Sequence, residues 1–213
     1  MTHIARAPHT LAHVRLLPRR RVVYPVRIMA TIDREWTADD VHALPDDGNR
    51  YEVIEGALFV TPAPAWRHQS AAVRLCAMLL AYLDRERVGY VFVAPADVVF
   101  SPRRAVQPDM FVVPPFNGRR PERFEDAGML LVAIEVISPG TGRADRVVKR
   151  NLYRDERVPE YWIVDLDARV FERSTRDNVQ PEILGDRLVW HPEGAVEPFD
   201  LNIADYFLTV LEG

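Results

Sequence analysis

The chain has 213 residues, 48% hydrophobic and 27% charged, which suits one globular domain with a sizeable core. Its longest apolar runs, such as "AAVRLCAMLLAYL", carry a charge or fall short of bilayer thickness, so no transmembrane segment is expected. A single cysteine, Cys76, excludes an intrachain disulfide and reads as a small core residue of a protein kept in a reducing, cytoplasmic setting.

Charge is unevenly placed. Residues 1–28 hold six arginines, three histidines and no acid, and removing those six from the formal −4 leaves residues 29–213 at −10. Prolines at 8, 18 and 25 break any period in this stretch. A targeting peptide and a basic nucleic-acid arm both fit its composition. The preferred expectation is a disordered upstream extension over 1–28, with Met29 as the natural start and residues 29–213 as one domain.

Thr37 precedes "ADD" as an N-cap and predicts a short helix near 37–44. After the turn "PDDGNR", "YEVIEGALFVTP" reads as two strands about Glu55–Gly56. From His68 to about Arg87 the apolar residues Val73, Ala77, Leu80 and Leu83, with Leu75 and Leu79 beside them, predict a long and largely buried helix. "GYVFVAP", "ADVVF" and "MFVVPP" are strand candidates, followed by the charged loop "FNGRRPERFEDAG". "MLLVAIEVIS" is the most apolar strand, broken by "PGTG" before a helix over roughly 144–156. "EYWIVDLDARVFERS" predicts a hairpin turning at Asp167–Ala168, and a further strand pair and a closing helix, "IADYFLTVL", complete the chain. The order predicts a mixed α/β core, helices packed on a central sheet.

Three residues carry candidate chemistry. Asp109 follows Pro108 at a strand start, on backbone that the proline restricts. Glu135 is the lone acid of an apolar strand, costly to bury unless something positive meets it. Lys149 is the chain's single lysine beside 26 arginines. Taken singly, each has a plainer explanation: a strand-start Asp, the polar register of a half-exposed strand, a solvated helix lysine. Taken together, two carboxylates on neighbouring strands could share Mg²⁺, which takes oxygen ligands and keeps several waters. A nearby lysine could orient or deprotonate a water, or meet charge developing on a phosphate. An ammonium is compact and titratable when partly buried, whereas a guanidinium is planar and always charged.

The order "PD"…"E-x-V" with a downstream lysine resembles the PD-(D/E)XK nuclease superfamily. More closely, "RYEVIEGALFVTPAPAWRHQ", "VQPDMFVV", "AIEVISPGT", "DRVVKRNLY" and "VPEYWIVD" together resemble the Uma-two branch of restriction endonucleases, over about residues 30–210. The resemblance implies a restriction-endonuclease-like core and cleavage of DNA phosphodiesters by a metal-activated water, dependent on Mg²⁺ with Mn²⁺ able to substitute. It implies Asp109 and Glu135 as metal ligands and Lys149 as the catalytic lysine. The superfamily's simplest pattern puts that lysine two residues after the glutamate, where this chain has Ile137, so Lys149 stands as a replacement that has moved to the helix.

Secondary candidates are Glu52, as a further acid or an outward edge residue, and His68, as a phosphate or metal contact or a packing residue. Gln107 could bond a phosphate or a water. Tyr153, four residues beyond Lys149, shares its helix face, and Asp145, four before it, could form a surface ion pair with it. Arg103–Arg104 and Arg119–Arg120 flank the PD strand and could form a local DNA track, either within one chain or pooled in a homodimer. Three rival expectations remain: an inactive nuclease-fold binding or regulatory domain, a two-carboxylate hydrolase without metal, and a structural ion-pair network.

Overall fold

A computed structural model of the protein describes residues 34–137, 142–178 and 180–212. The extension expected over 1–28 lies outside the described residues, as does most of the "PGTG" break.

Helix α1 (Ala38–His42) begins where Thr37 closes a capping box: its hydroxyl accepts from the Asp40 N–H while Asp40 accepts from the Thr37 N–H. Strands β1 (Arg50–Ile54) and β2 (Ala57–Thr61) pair about Glu55 and Gly56, whose φ angles of 54° and 78° form the left-handed turn that suits a two-residue hairpin. They belong to a four-stranded antiparallel sheet of order β2-β1-β5-β4, completed by β4 (Val98–Ser101) and β5 (Arg104–Val106). The sequence pattern does not announce β5, a three-residue strand that carries a charge and follows a turn.

The larger sheet is mixed and six-stranded. It contains β3 (Tyr90–Val93), β6 (Met110–Val113), β7 (Val132–Ile137), β8 (Glu160–Asp165), β9 (Val170–Thr175) and β10 (Glu182–Leu184), in the order β10-β9-β8-β7-β6-β3. Only the central β7–β8 pair is parallel, and a parallel pair needs a crossover. A π-helical turn (Ala144–Lys149) running into α4 (Arg150–Asp155) supplies it. A small loop helix, α3 (Phe124–Ala127), precedes β7, and β11 (Arg187–Trp190) pairs with β12 (Phe199–Asn202) before α5 (Ile203–Glu212).

Helix α2 (Trp66–Glu86) and α5 cover one face of the mixed sheet, where Leu75, Leu79 and Leu83 meet Met110, Ile134, Val136 and Trp162. The buried stripe of α2 is Ala71–Leu75–Leu79–Tyr82–Leu83; the expected positions Val73 and Leu80 face away, 66% and 48% exposed. Both rows have helical spacing, and the row carrying the larger and more numerous apolar groups wins the core. On the other face, Phe111, Ala133, Ile137 and Ile163 pack on Leu152 and Tyr153 of α4 and on Ile54, Val98 and Val106 of the four-stranded sheet. Side chains alternate along β7, so Glu135 shares this second face with Ala133 and Ile137. Among the described residues no helix is long and apolar enough to cross a membrane.

Candidate active site

Glu135 lies near the C-terminal end of β7, fully surrounded, with Oε1 accepting from Lys149 Nζ at 2.9 Å and from the Tyr153 hydroxyl at 3.4 Å. Lys149 reaches it because the crossover returns over its own strand, and the π-helical turn ends at that lysine. Such wider turns recur at functional sites, where they shift the register of the side chains that follow. Asp109 precedes β6, whose last pair with β7 is Met110–Ile134. Its Oδ2 accepts the next free donor of β7, the Val136 N–H, at 2.8 Å, so the carboxylate prolongs the ladder toward Glu135.

Four buried acids therefore converge. Lys149 Nζ is 2.9 Å from Glu52 Oε2, 2.9 Å from Glu135 Oε1 and 3.7 Å from Asp145 Oδ1. Glu52 comes from β1, in the other sheet, and its Oε1 accepts the Gln107 N–H at 2.8 Å. Asp109 Oδ1 accepts from Arg50 Nη2 at 2.7 Å, and His68 Nε2 lies 2.9 Å from Oδ2. Arg50 Nη1 also donates to the Gln107 carbonyl at 3.0 Å and stands 4.0 Å from Glu135 Oε2. A cavity of about 220 Å³ opens over this cluster, lined by Arg50, Glu52, His68, Asp109, Glu135 and Lys149 among others.

The electrostatics are set by burial and by the sign of the neighbours. Burial opposes ionisation of Asp109, but the His68 hydrogen bond, the Arg50 charge and the Val136 N–H outweigh it and hold its carboxyl well below the usual range. Burial raises Glu135, Lys149 counteracts, and Asp109, Asp145 and Glu52 push it up again, leaving it well above the usual range. Burial alone would lower Lys149, yet Glu135, Glu52 and Asp145 reverse this and hold the ammonium protonated. A lysine that loses its proton on burial is thus not what these three acids produce.

All eight residues singled out in the sequence, Asp145 included, lie in this region, with two changes of role. Gln107 contributes through its backbone, because its side chain turns away to Asp97 Oδ1 at 2.8 Å. Asp145, expected in a surface pair, is buried: the π-helical turn that carries it sets its carboxylate 3.7 Å from Lys149 Nζ. Arg50 is the residue that the sequence reading missed. Its signal was its position two before Glu52, which puts both on one side of β1. The expected arginine track is largely spent elsewhere: Arg103 pairs with Glu35, Arg104 with Glu55 and Glu156, and Arg120 lies 4.8 Å over the Phe92 ring.

The donor set fits a hard divalent ion. Glu52, Asp109, Glu135 and Asp145 against Arg50 and Lys149 leave a formal −2, the charge that one such ion balances. Among the described residues no group of three or more His, Cys, Asp or Glu side chains is placed to hold a metal ion, so an ion here would rest on fewer protein ligands. Asp109 and Glu135 could hold Mg²⁺ with the remaining positions left to water, its ordinary mode of binding. His68 Nδ1 is buried without a hydrogen-bond partner among the described residues, a polar atom left over at the cavity wall.

No curated protein matches the chain. A solved structure described as a "putative nuclease", from Anabaena variabilis, superposes with a TM-score of 0.66 at 22% identity, covering 82% of this chain and 99% of that one. The likeness establishes the shared fold, a mixed sheet flanked by helices. Residues 38–204 match the sequence profile of the Uma2 family, whose description is "Putative restriction endonuclease". That match spans most of the sequence, and the chain belongs to the Uma2 family.

Proposed function

We propose that the protein is a divalent-metal-dependent endonuclease that hydrolyses DNA phosphodiester bonds. The observation that carries this reading is the meeting of Asp109, Glu135 and Lys149 at one cavity from three separate elements. Asp109 and Glu135 would hold Mg²⁺, which supplies Lewis-acid polarisation of the phosphate and a more acidic attacking water. Lys149, kept protonated, donates to that water or to the phosphate and stabilises the charge that builds as the P–O3′ bond breaks. His68 and the Val136 N–H orient Asp109; Tyr153 orients Glu135. Glu52 and Asp145 fix the ammonium in place. Flanking phosphates would meet Arg150, Arg154 and Arg176, which line a small cleft beside α4.

Supercoiled-plasmid cleavage with and without Mg²⁺, on the parent and on Asp109→Ala, tests the proposal. Cleavage by the parent alone, abolished by chelator, is expected. An equally active Asp109→Ala variant would refute the assignment.

A second reading, a nuclease-fold binding or regulatory domain that does not cut, has one observation in its favour: both Asp109 oxygens already carry protein donors. Calorimetric titration of Mg²⁺ into the parent and Asp109→Ala separates the two, since a domain without the metal site takes up no ion in either protein.

A further inference from the structure

Arg50 stands where a nuclease of this kind needs both a metal and a phosphate. Its Nη2 bonds Asp109 Oδ1 at 2.7 Å and its Nη1 lies 4.0 Å from Glu135 Oε2, so one guanidinium spans the two proposed metal ligands. Its side chain is 16% exposed where those of Asp109 and Glu135 are 4% and 3%, which places it on the solvent side of both. It also lines the cavity through which a DNA strand must approach.

We infer that Arg50 is a cation that yields its place: it neutralises Asp109 and Glu135 while they lack a divalent ion, and turns to the scissile phosphate when they hold one. This rests on the metal-dependent reading above. Three physical points carry it. First, a guanidinium and a divalent ion compete for the same carboxylate oxygen and repel each other at contact distance. Second, the guanidinium has somewhere to pivot, because Nη1 is also tied to the Gln107 carbonyl at 3.0 Å, and that bond does not depend on the state of the acids. Third, the planar fork of an arginine matches two phosphate oxygens as well as it matches a carboxylate, so the group lost by Asp109 has an equivalent partner in the substrate. Lys149 does not take this part: its ion pairs are with Glu135, Glu52 and Asp145, and it is Arg50 that covers Asp109. The plain structural alternative is a fixed ion pair that fastens β1 to the start of β6.

The two roles move metal affinity in opposite directions. Mn²⁺ is titrated calorimetrically into the chelator-stripped full-length parent, Arg50→Gln and Arg50→Lys, each checked as folded by circular dichroism. In parallel, binding of a labelled duplex is measured in Ca²⁺ and in EDTA. Arg50→Gln is expected to bind Mn²⁺ tighter by about tenfold or more, the smallest effect a unit charge at 4–6 Å ordinarily has on a titrating site. It is also expected to lose most of the Ca²⁺-dependent gain in duplex affinity. Arg50→Lys retains the charge, so its Mn²⁺ affinity should stay near the parent's while its duplex gain falls. If the parent binds Mn²⁺ and Arg50→Gln binds it equally or more weakly, the inference falls and the metal site stands. An Arg50→Gln chain that fails to fold leaves the decision to Arg50→Lys: an undiminished duplex gain there overturns the inference. Absence of Mn²⁺ uptake by every protein overturns both this inference and the metal-dependent reading beneath it.

Discussion

Lys149 Nζ lies 2.9 Å from Glu52 Oε2, joining the crossover of the mixed sheet to a strand of the other sheet. Together with Glu135 and Asp145 this makes the ammonium a structural hub as well as a candidate for catalysis. Removing one partner of a buried ion pair ordinarily costs about 3–5 kcal/mol, because the other is left uncompensated. Lys149→Met should therefore lower unfolding stability by that order near neutral pH, measured by urea denaturation. The loss should shrink toward acid pH, as the abandoned carboxylates take up protons.

Lys149→Arg separates charge from shape. It preserves the positive charge between Glu52 and Glu135, but forces a planar fork into a space built around one nitrogen. Plasmid cleavage should fall by at least about a hundredfold, the order lost when a single oriented donor is removed. The fold should survive. Parent-like cleavage by Lys149→Arg would remove the reason for the chain's single lysine.

Glu135 makes a prediction about pH. Its carboxyl is raised in the fold, by burial first and by three neighbouring acids, with Lys149 opposing. A group raised on folding contributes stability that is present below its unfolded pKa, about 4.3, and is lost as pH rises through the folded value. Metal-free protein should thus lose stability above that point, on account of this residue. Asp109 has the opposite sign: its stabilising contribution is present above about 3.9 and is lost as pH falls through its lowered folded value. Glu135→Gln removes the first slope and leaves the second, and Lys149 still keeps Glu52 and Asp145 as partners. Denaturation in EDTA should show the variant more stable than the parent at pH 8, with the advantage fading toward pH 4.

Added Mg²⁺ should reverse that order. An ion at a hundred times its dissociation constant stabilises by about 2.7 kcal/mol, a rise in Tm of roughly 5–10 °C for a chain of this length. Differential scanning calorimetry should show the shift in the parent and its loss in Asp109→Asn and Glu135→Gln. A shift that survives both substitutions would place the ion elsewhere.

Much of this was legible beforehand, and for a physical reason. Glu135 stood out because an acid costs too much in an apolar strand to be there without a partner, and Lys149 because arginine serves everywhere else. The mixed sheet followed from helices spaced between apolar runs. What stayed hidden depends on contacts between distant segments. Arg104–Val106 is a strand because β1 and β4 flank it, and no local pattern says so. Val73 and Leu80 also keep helical spacing, and the sheet beneath takes the row with the larger apolar groups, Leu75, Leu79 and Leu83. Arg50 was passed over because a strand-start arginine is ordinary until Asp109, 59 residues away, comes to meet it.

The overall acidity of the chain bears on how it would hold DNA. Residues 29–213 carry a formal −10, so within them cations placed where phosphates pass matter most, and Arg150 and Arg176 border one cleft beside α4. Each phosphate contact releases condensed counterions, so log K falls with log salt in proportion to the number of contacts. Replacing both arginines by alanine should weaken duplex binding in Ca²⁺ evenly across sequences and make the salt slope shallower by about two, one for each cation removed. Mn²⁺ affinity should be untouched, because neither residue borders the acid cluster. Fluorescence anisotropy between 50 and 200 mM salt resolves a change of that size. An unchanged slope would mean that DNA follows another path to Asp109 and Glu135, such as along the β2–α2 connection, where Pro62 and Pro64 line the cavity.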